Sequence, residues 1–119
     1  MRYVMLIYQP EAVFEARTDA KEKEFWGAWT RYYDEMVEAG VYVAGDRLER
    51  ASTAATVRVR DGKRRVQDGP FAETKEQLGG FIVMELPSLE EALDWAARCP
   101  TAARGTVEVR PAGKTPMMA

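Results

Sequence analysis

The sequence predicts an α+β fold, a ferredoxin-like antiparallel sheet with two helices on one face. Three observations carry this expectation. The segments run strand, helix, strand, hairpin, helix, strand, an order suited to a split βαβ arrangement. Two apolar stripes have helical spacing, and each follows a short β-rich run. Two of the strands, Tyr3–Tyr8 and Phe81–Leu86, are apolar on both faces. The 119 residues fit a single domain, expected over residues 1–111, with a flexible tail at 112–119.

The first strand is the continuous run Tyr3-Val4-Met5-Leu6-Ile7-Tyr8, closed by Gln9-Pro10. Glu11 to Arg17 reads as a connector. A helix is expected from Thr18-Asp19. Asp19 and Glu22 have capping-box spacing, and Phe25, Trp26, Trp29, Tyr32, Tyr33, Met36 and Val37 form one wide stripe ending at Gly40. Such a stripe docks a helix on a sheet, and its aromatic rings also suit a ligand wall. Val41–Ala44 is a short strand, with Gly45-Asp46 turning out of it and an irregular stretch from Arg47 to Thr53.

Ala54–Arg60 and Lys63–Gln67 flank Asp61-Gly62, a strong two-residue hairpin signal. The hairpin carries Arg58, Arg60, Lys63, Arg64 and Arg65, either an anion patch or a solvated face that blocks edge-to-edge association. Phe81–Leu86 forms the next strand, stopped by Pro87. Ser88 and Glu91 form a capping box for a second helix whose expected buried stripe is Leu89, Ala92, Leu93, Ala96 and Ala97. Cys99-Pro100 ends it, and Thr106–Arg110 alternates as the last strand.

Composition excludes several chemistries. The net charge of -2 gives no general attraction to nucleic acid or anionic membranes, so neither is an expected partner. No apolar run approaches the ~20 residues of a membrane span, and the apolar opening is too short for a secretory leader, so a cytoplasmic location is expected. The single cysteine allows no intrachain disulfide, and Cys99 reads as a small buried side chain. With no histidine, a Ser-His or Cys-His pair cannot form, and acid–base chemistry falls to Asp, Glu, Lys, Tyr or water. No metal site and no organic cofactor are expected.

Two helices cover only one face of a sheet whose central strands are apolar on both. A second copy of the chain, packed sheet on sheet about a two-fold axis, is the expected cover, and each buried Å2 of apolar surface there adds ~25 cal/mol.

Between the hairpin and the Phe81 strand lies the densest run of turn formers and charges, Asp68-Gly69-Pro70-Phe71-Ala72-Glu73-Thr74-Lys75-Glu76-Gln77-Leu78-Gly79-Gly80-Phe81. With the opening Tyr3–Tyr8, the hairpin Thr56–Lys63, and the stretches Ala92–Pro100 and Val107–Pro111, this run resembles the DGPF group of the YCII-related family. The resemblance covers nearly the whole chain. It implies a dimeric α+β barrel of ferredoxin-like protomers. It also implies two kinds of function: small-molecule enzymes using a His-Asp pair, among them dehydrochlorinases of hydroxylated rings, and proteins that accompany alternative sigma factors. Without histidine, the His-Asp pair is not carried over.

The residues of the run leave two readings open. In one, Asp68 or Glu73 accepts a proton in a pocket, Lys75 orients an anionic substrate, and Tyr8, Trp29, Tyr33, Asp46 and Phe71 contact the ligand. In the other, Asp68 caps backbone amides of the turn, Phe71 plugs the core, and Glu73 and Lys75 are solvated. The corresponding functions are a cofactor-free enzyme of proton transfer, isomerisation or elimination, and a ligand-binding or regulatory module without catalysis. A purely structural dimerisation domain is the third possibility.

Overall fold

The computed structural model describes residues 1–10, 19–72 and 74–114. The strands are β1 (Arg2–Pro10), β2 (Tyr42–Arg47), β3 (Ala55–Arg60), β4 (Lys63–Asp68), β5 (Glu76–Glu85) and β6 (Thr106–Pro111). The helices are α1 (Asp19–Glu38) and α2 (Leu89–Arg98), with 3₁₀ turns at Ala51–Thr53 and Pro100–Ala103. The main sheet has the order β2-β5-β1-β6, all neighbours antiparallel, and β3 and β4 form a separate two-stranded sheet. With the hairpin set aside, this is the ferredoxin-like order expected from the sequence. The shortest extent, 18 Å, is that of one sheet and one helical layer.

Strand alternation sorts the central residues. Tyr3, Met5 and Ile7 lie opposite Met84, Ile82 and Gly80, and all six are buried beneath the helices. Val4 and Leu6 lie opposite Val83 and Phe81 on the other face, where they are only half-buried. The largest fully buried side chains are Met5, Met36 and Met84, whose flexible thioethers fill the space between sheet and helices. Tyr32, on α1, is buried among them and donates its hydroxyl to the Trp95 carbonyl at 2.7 Å, tying α1 to α2.

The local signals mostly act as their chemistry requires. The Ser88 hydroxyl accepts from the Glu91 amide, capping α2. Asp61 (φ 52°) and Gly62 (φ 73°) form the hairpin turn, both left-handed as a two-residue loop of this hand needs.

Four expectations are corrected. Gly45-Asp46 does not turn out of the sheet: β2 continues to Arg47, because Gly45 lets the strand approach β5 closely. A Cβ at Gly45 would lie 2.7 Å from the Phe81 carbonyl oxygen. Similarly, Gly79-Gly80 lies inside β5, which begins at Glu76; the pairing moves from Ile7–Gly80 to Tyr8–Leu78, and the irregularity accommodates the extra glycine. On α2, Leu89, Leu93 and Ala97 are exposed, whereas Ala92 and Ala96 are buried. Small alanines let the helix sit close to the sheet, and Trp95 packs at its flank. Finally, Phe71 does not plug the core, being 76% exposed with the Arg58 guanidinium over its ring. The connector Glu11–Arg17, Thr18 at the expected helix start, Glu73, and the tail from residue 115 lie outside the described residues.

Candidate functional site

The aromatic stripe of α1 does not close completely on the sheet. A half-open cavity of about 190 Å3 remains between α1, β2 and β5. Trp26, Trp29, Tyr32, Tyr33 and Met36 line it from the helix, and Ile7, Tyr42, Gly45 to Arg47 and Gly80 to Ile82 contribute its sheet side. Two glycines account for the space. Gly45 and Gly80 lie on the adjacent strands β2 and β5, and both border the cavity. A Cβ on Gly80 would come within 3.0 Å of the Asp46 carbonyl oxygen. Close backbone approach therefore requires these glycines, and the missing side chains leave room above them.

The walls are ring edges and faces. Tyr33 and Tyr42 meet edge to face with centroids 4.9 Å apart, and Trp29 meets Tyr32 at 5.6 Å in the same manner. The Arg47 guanidinium lies 5.0 Å from the Trp26 ring centroid, a cation–π contact at the cavity edge. The polar groups are few. Tyr42 donates its hydroxyl to the Gly45 carbonyl at 3.4 Å, a long bond that a ligand oxygen could displace. Its pKa is raised, first by burial, then by Tyr33 and by the Asp46 carboxylate. Tyr42 is therefore a protonated donor at neutral pH, with a carboxylate nearby. Burial likewise raises the Tyr32 pKa, and its proton is committed to Trp95.

Beside this cavity is a more polar groove of about 210 Å3, lined by Gln9, Gln77, Gly79 and the segment from Arg47 to Ala51. Arg47 borders both spaces. Cys99 borders neither. It is buried, and burial pushes its thiol up to about 11, so it remains an unreactive thiol at neutral pH. Among the described residues, no three of His, Cys, Asp and Glu gather where they could hold a metal ion.

Of the residues singled out from sequence, Trp29, Tyr33 and Asp46 come together at the cavity. Tyr8 is half-buried on β1 between Leu78 and Thr106, outside the lining. Asp68 ends β4, exposed and opposite Ala55, and the next amide, Gly69, donates to the Ala54 carbonyl at 2.6 Å. Lys75 is exposed, and neither it nor Asp68 nor Phe71 lines the cavity. Glu73 is outside the described residues. Three contributors escaped sequence reasoning: Tyr42, Arg47 and Gly80. A signal for them existed in the glycines on either side of a strand gap facing an aromatic stripe, but both glycine sites read as turns.

The sequence matches the YCII-related domain over residues 1–113. It is 40% identical over 113 residues to an uncharacterized protein of Rhizobium meliloti (strain 1021), spanning 93% of this chain and 91% of that protein. The structure is similar to 5-chloro-2-hydroxyhydroquinone dehydrochlorinase from Burkholderia phenoliruptrix AC1100, solved in complex with 2,5-dihydroxybenzoquinone. That similarity has a TM-score of 0.58 and 14% identity and covers 100% of both chains, so it is a likeness of fold. No helix among the described residues is long and apolar enough to cross a membrane. The match along nearly all of the chain and the close curated relative establish that this protein belongs to the YCII-related family.

Proposed function

We propose that the chain binds a small ring compound in the cavity beneath α1 and acts on it by proton transfer, isomerisation or elimination without an organic cofactor. One observation carries this reading. An aromatic-walled space of about 190 Å3 has a phenol donor, Tyr42, and a guanidinium, Arg47, among its lining residues, with Asp46 at its sheet edge near enough to raise the Tyr42 pKa. A cavity of roughly 150 Å3 is enough to take benzene, so this one suits a single substituted ring. Tyr42 would donate to a ring oxygen while Asp46, whose ladder position faces away from α1, would take up a proton through water at the open cavity edge, a division of roles acid–base chemistry needs when histidine is absent. The quinone-type ligand of the structural neighbour supports a ring of this size on this fold. Asp68 and Lys75 take the turn-forming and solvated roles, and the Asp68–Phe71 run supports placement in the DGPF group.

Titration with hydroquinone, followed by tryptophan emission, checks the reading. Trp26 and Trp29 line the cavity, so saturable quenching is expected. Trp29→Leu should weaken binding about 5- to 30-fold, the loss of roughly 1–2 kcal/mol of ring contact. Unchanged emission at millimolar hydroquinone, catechol and phenol would contradict it. Binding without conversion of any of them would leave a ligand-binding module.

The open sheet face supports a homodimer as the working unit. Val4, Leu6, Phe81 and Val83 are half-buried there, and Val57, Val59 and Val66 of the hairpin are each more than half exposed. An isolated hairpin is marginal in water, so its apolar residues favour a covering partner. Sedimentation at micromolar protein should give twice the 13.4 kDa of one chain; a 13.4 kDa species would rule the dimer out.

A further inference from the structure

The structure assigns Arg47 as the anchor for a carboxylate on the bound ring: we infer that the ligand is an aromatic acid rather than a neutral phenol, with its carboxylate at the boundary of the cavity and the polar groove. This inference rests on the ring-binding reading above and narrows its substrate class.

Among the described residues, Arg47 is the one cation that borders both spaces. Its guanidinium is held over the Trp26 ring, and among the described residues that ring contact is its interaction; it has no hydrogen bond or ion pair. Arg98 pairs with Glu35 and Arg110 with Glu108, and Arg2 approaches Glu85 at 3.8 Å; Arg58 and Arg104 also stack, over Phe71 and Phe25, but neither borders the cavity or the groove. A stacked guanidinium keeps its N–H edge free in a plane, the geometry that binds a carboxylate bidentately. The stacking also fixes the head, so less side-chain freedom is lost on binding. Gly80 lies opposite Arg47 in the β2–β5 ladder, so the paired position adds no side chain beside it.

The surrounding charges limit what fits. Glu49 and Arg50 line the groove beside Arg47 with opposite charges. Among the described residues Arg47 is the cation that the cavity itself presents, which favours a monoanion whose carboxylate meets it. A hydroxyl elsewhere on the ring can then reach Tyr42. The Gln9 and Gln77 side chains border the groove and offer neutral amides to a short polar substituent there.

The test compares 4-hydroxybenzoate with phenol, titrated against the full chain by tryptophan emission, in wild type, Arg47→Met and Arg47→Lys. In wild type, 4-hydroxybenzoate should bind about tenfold or more tightly than phenol at low salt, and added salt should narrow the gap. Arg47→Met should reduce 4-hydroxybenzoate affinity about tenfold but phenol affinity less than about threefold. Arg47→Lys should restore part of the preference. A side chain that only packs on Trp26 would lower both affinities together. Equal affinities in wild type, or a preference that survives in Arg47→Met, would overturn the assignment while leaving ring binding intact. Binding of neither compound would overturn both.

Discussion

Gly105→Ala is expected to destabilise the fold by about 3 kcal/mol or more. Gly105 leads into β6, and Thr106 immediately after it pairs with Tyr8 of β1. A Cβ at this position would overlap the Tyr8 carbonyl oxygen and come within 3.0 Å of the Gln9 Cα. Both obstacles are backbone, so no rotamer change relieves them. Either β6 moves away from β1 or the end of their ladder opens. Overpacking in well-filled sites costs roughly 1–3 kcal/mol, and rigid backbone neighbours put this case at or above the upper end. Urea unfolding measures the change; a loss below about 1 kcal/mol would mean that the strand end is far looser than its packing indicates.

The second large effect joins stability to the site. Met36 is fully buried and also lines the cavity, so Met36→Ala removes core volume and enlarges the binding space. Truncating a buried methionine to alanine costs about 2–5 kcal/mol, the higher values where neighbours cannot collapse. Collapse is hindered here by the rings of Tyr32, Tyr33 and Tyr42, two of them packed edge to face. A ligand that fills the extra space should recover part of the loss, by about 2.7 kcal/mol at a concentration 100 times its Kd. Thermal unfolding with and without 2-naphthol provides the comparison. The variant should unfold at a lower temperature than wild type but gain more from naphthol. An equal or smaller gain would mean that the lost methionine does not open onto the ligand space.

Much of this architecture could be read before folding because its signals are local. Asp61-Gly62 demands a tight turn, Ser88 with Glu91 marks a helix start, and the Phe25–Met36 stripe has one clear period. The failures share a cause. Gly45 and Gly80 look like punctuation in sequence, but here they allow close strand approach, which depends on residues distant along the chain. On α2, apolar spacing alone could not tell that small alanines would set the docking distance and leave Leu89 and Leu93 outside. The same limit governed the site. The aromatic wall of Trp29 and Tyr33 was visible in the helical stripe. Arg47 was not, because nothing in a linear pattern tells which arginine will stack over a tryptophan without finding a carboxylate. The charged run beginning at Asp68 drew attention as a compact cluster, yet its first residue sits at an exposed strand end.

Backbone amide and indole chemical-shift mapping with 4-hydroxybenzoate most directly tests whether the cavity under α1 is the ligand site. The expected shifts centre on the Trp26 and Trp29 indole N–H groups and the Gly45 and Gly80 amides, which border the cavity. The Gly62 and Gly69 amides, at the hairpin turn and after Asp68, should remain in place. Shifts confined to Gly69, Lys75 and their neighbours, with the indoles unmoved, would contradict the cavity and return the site to the charged loop.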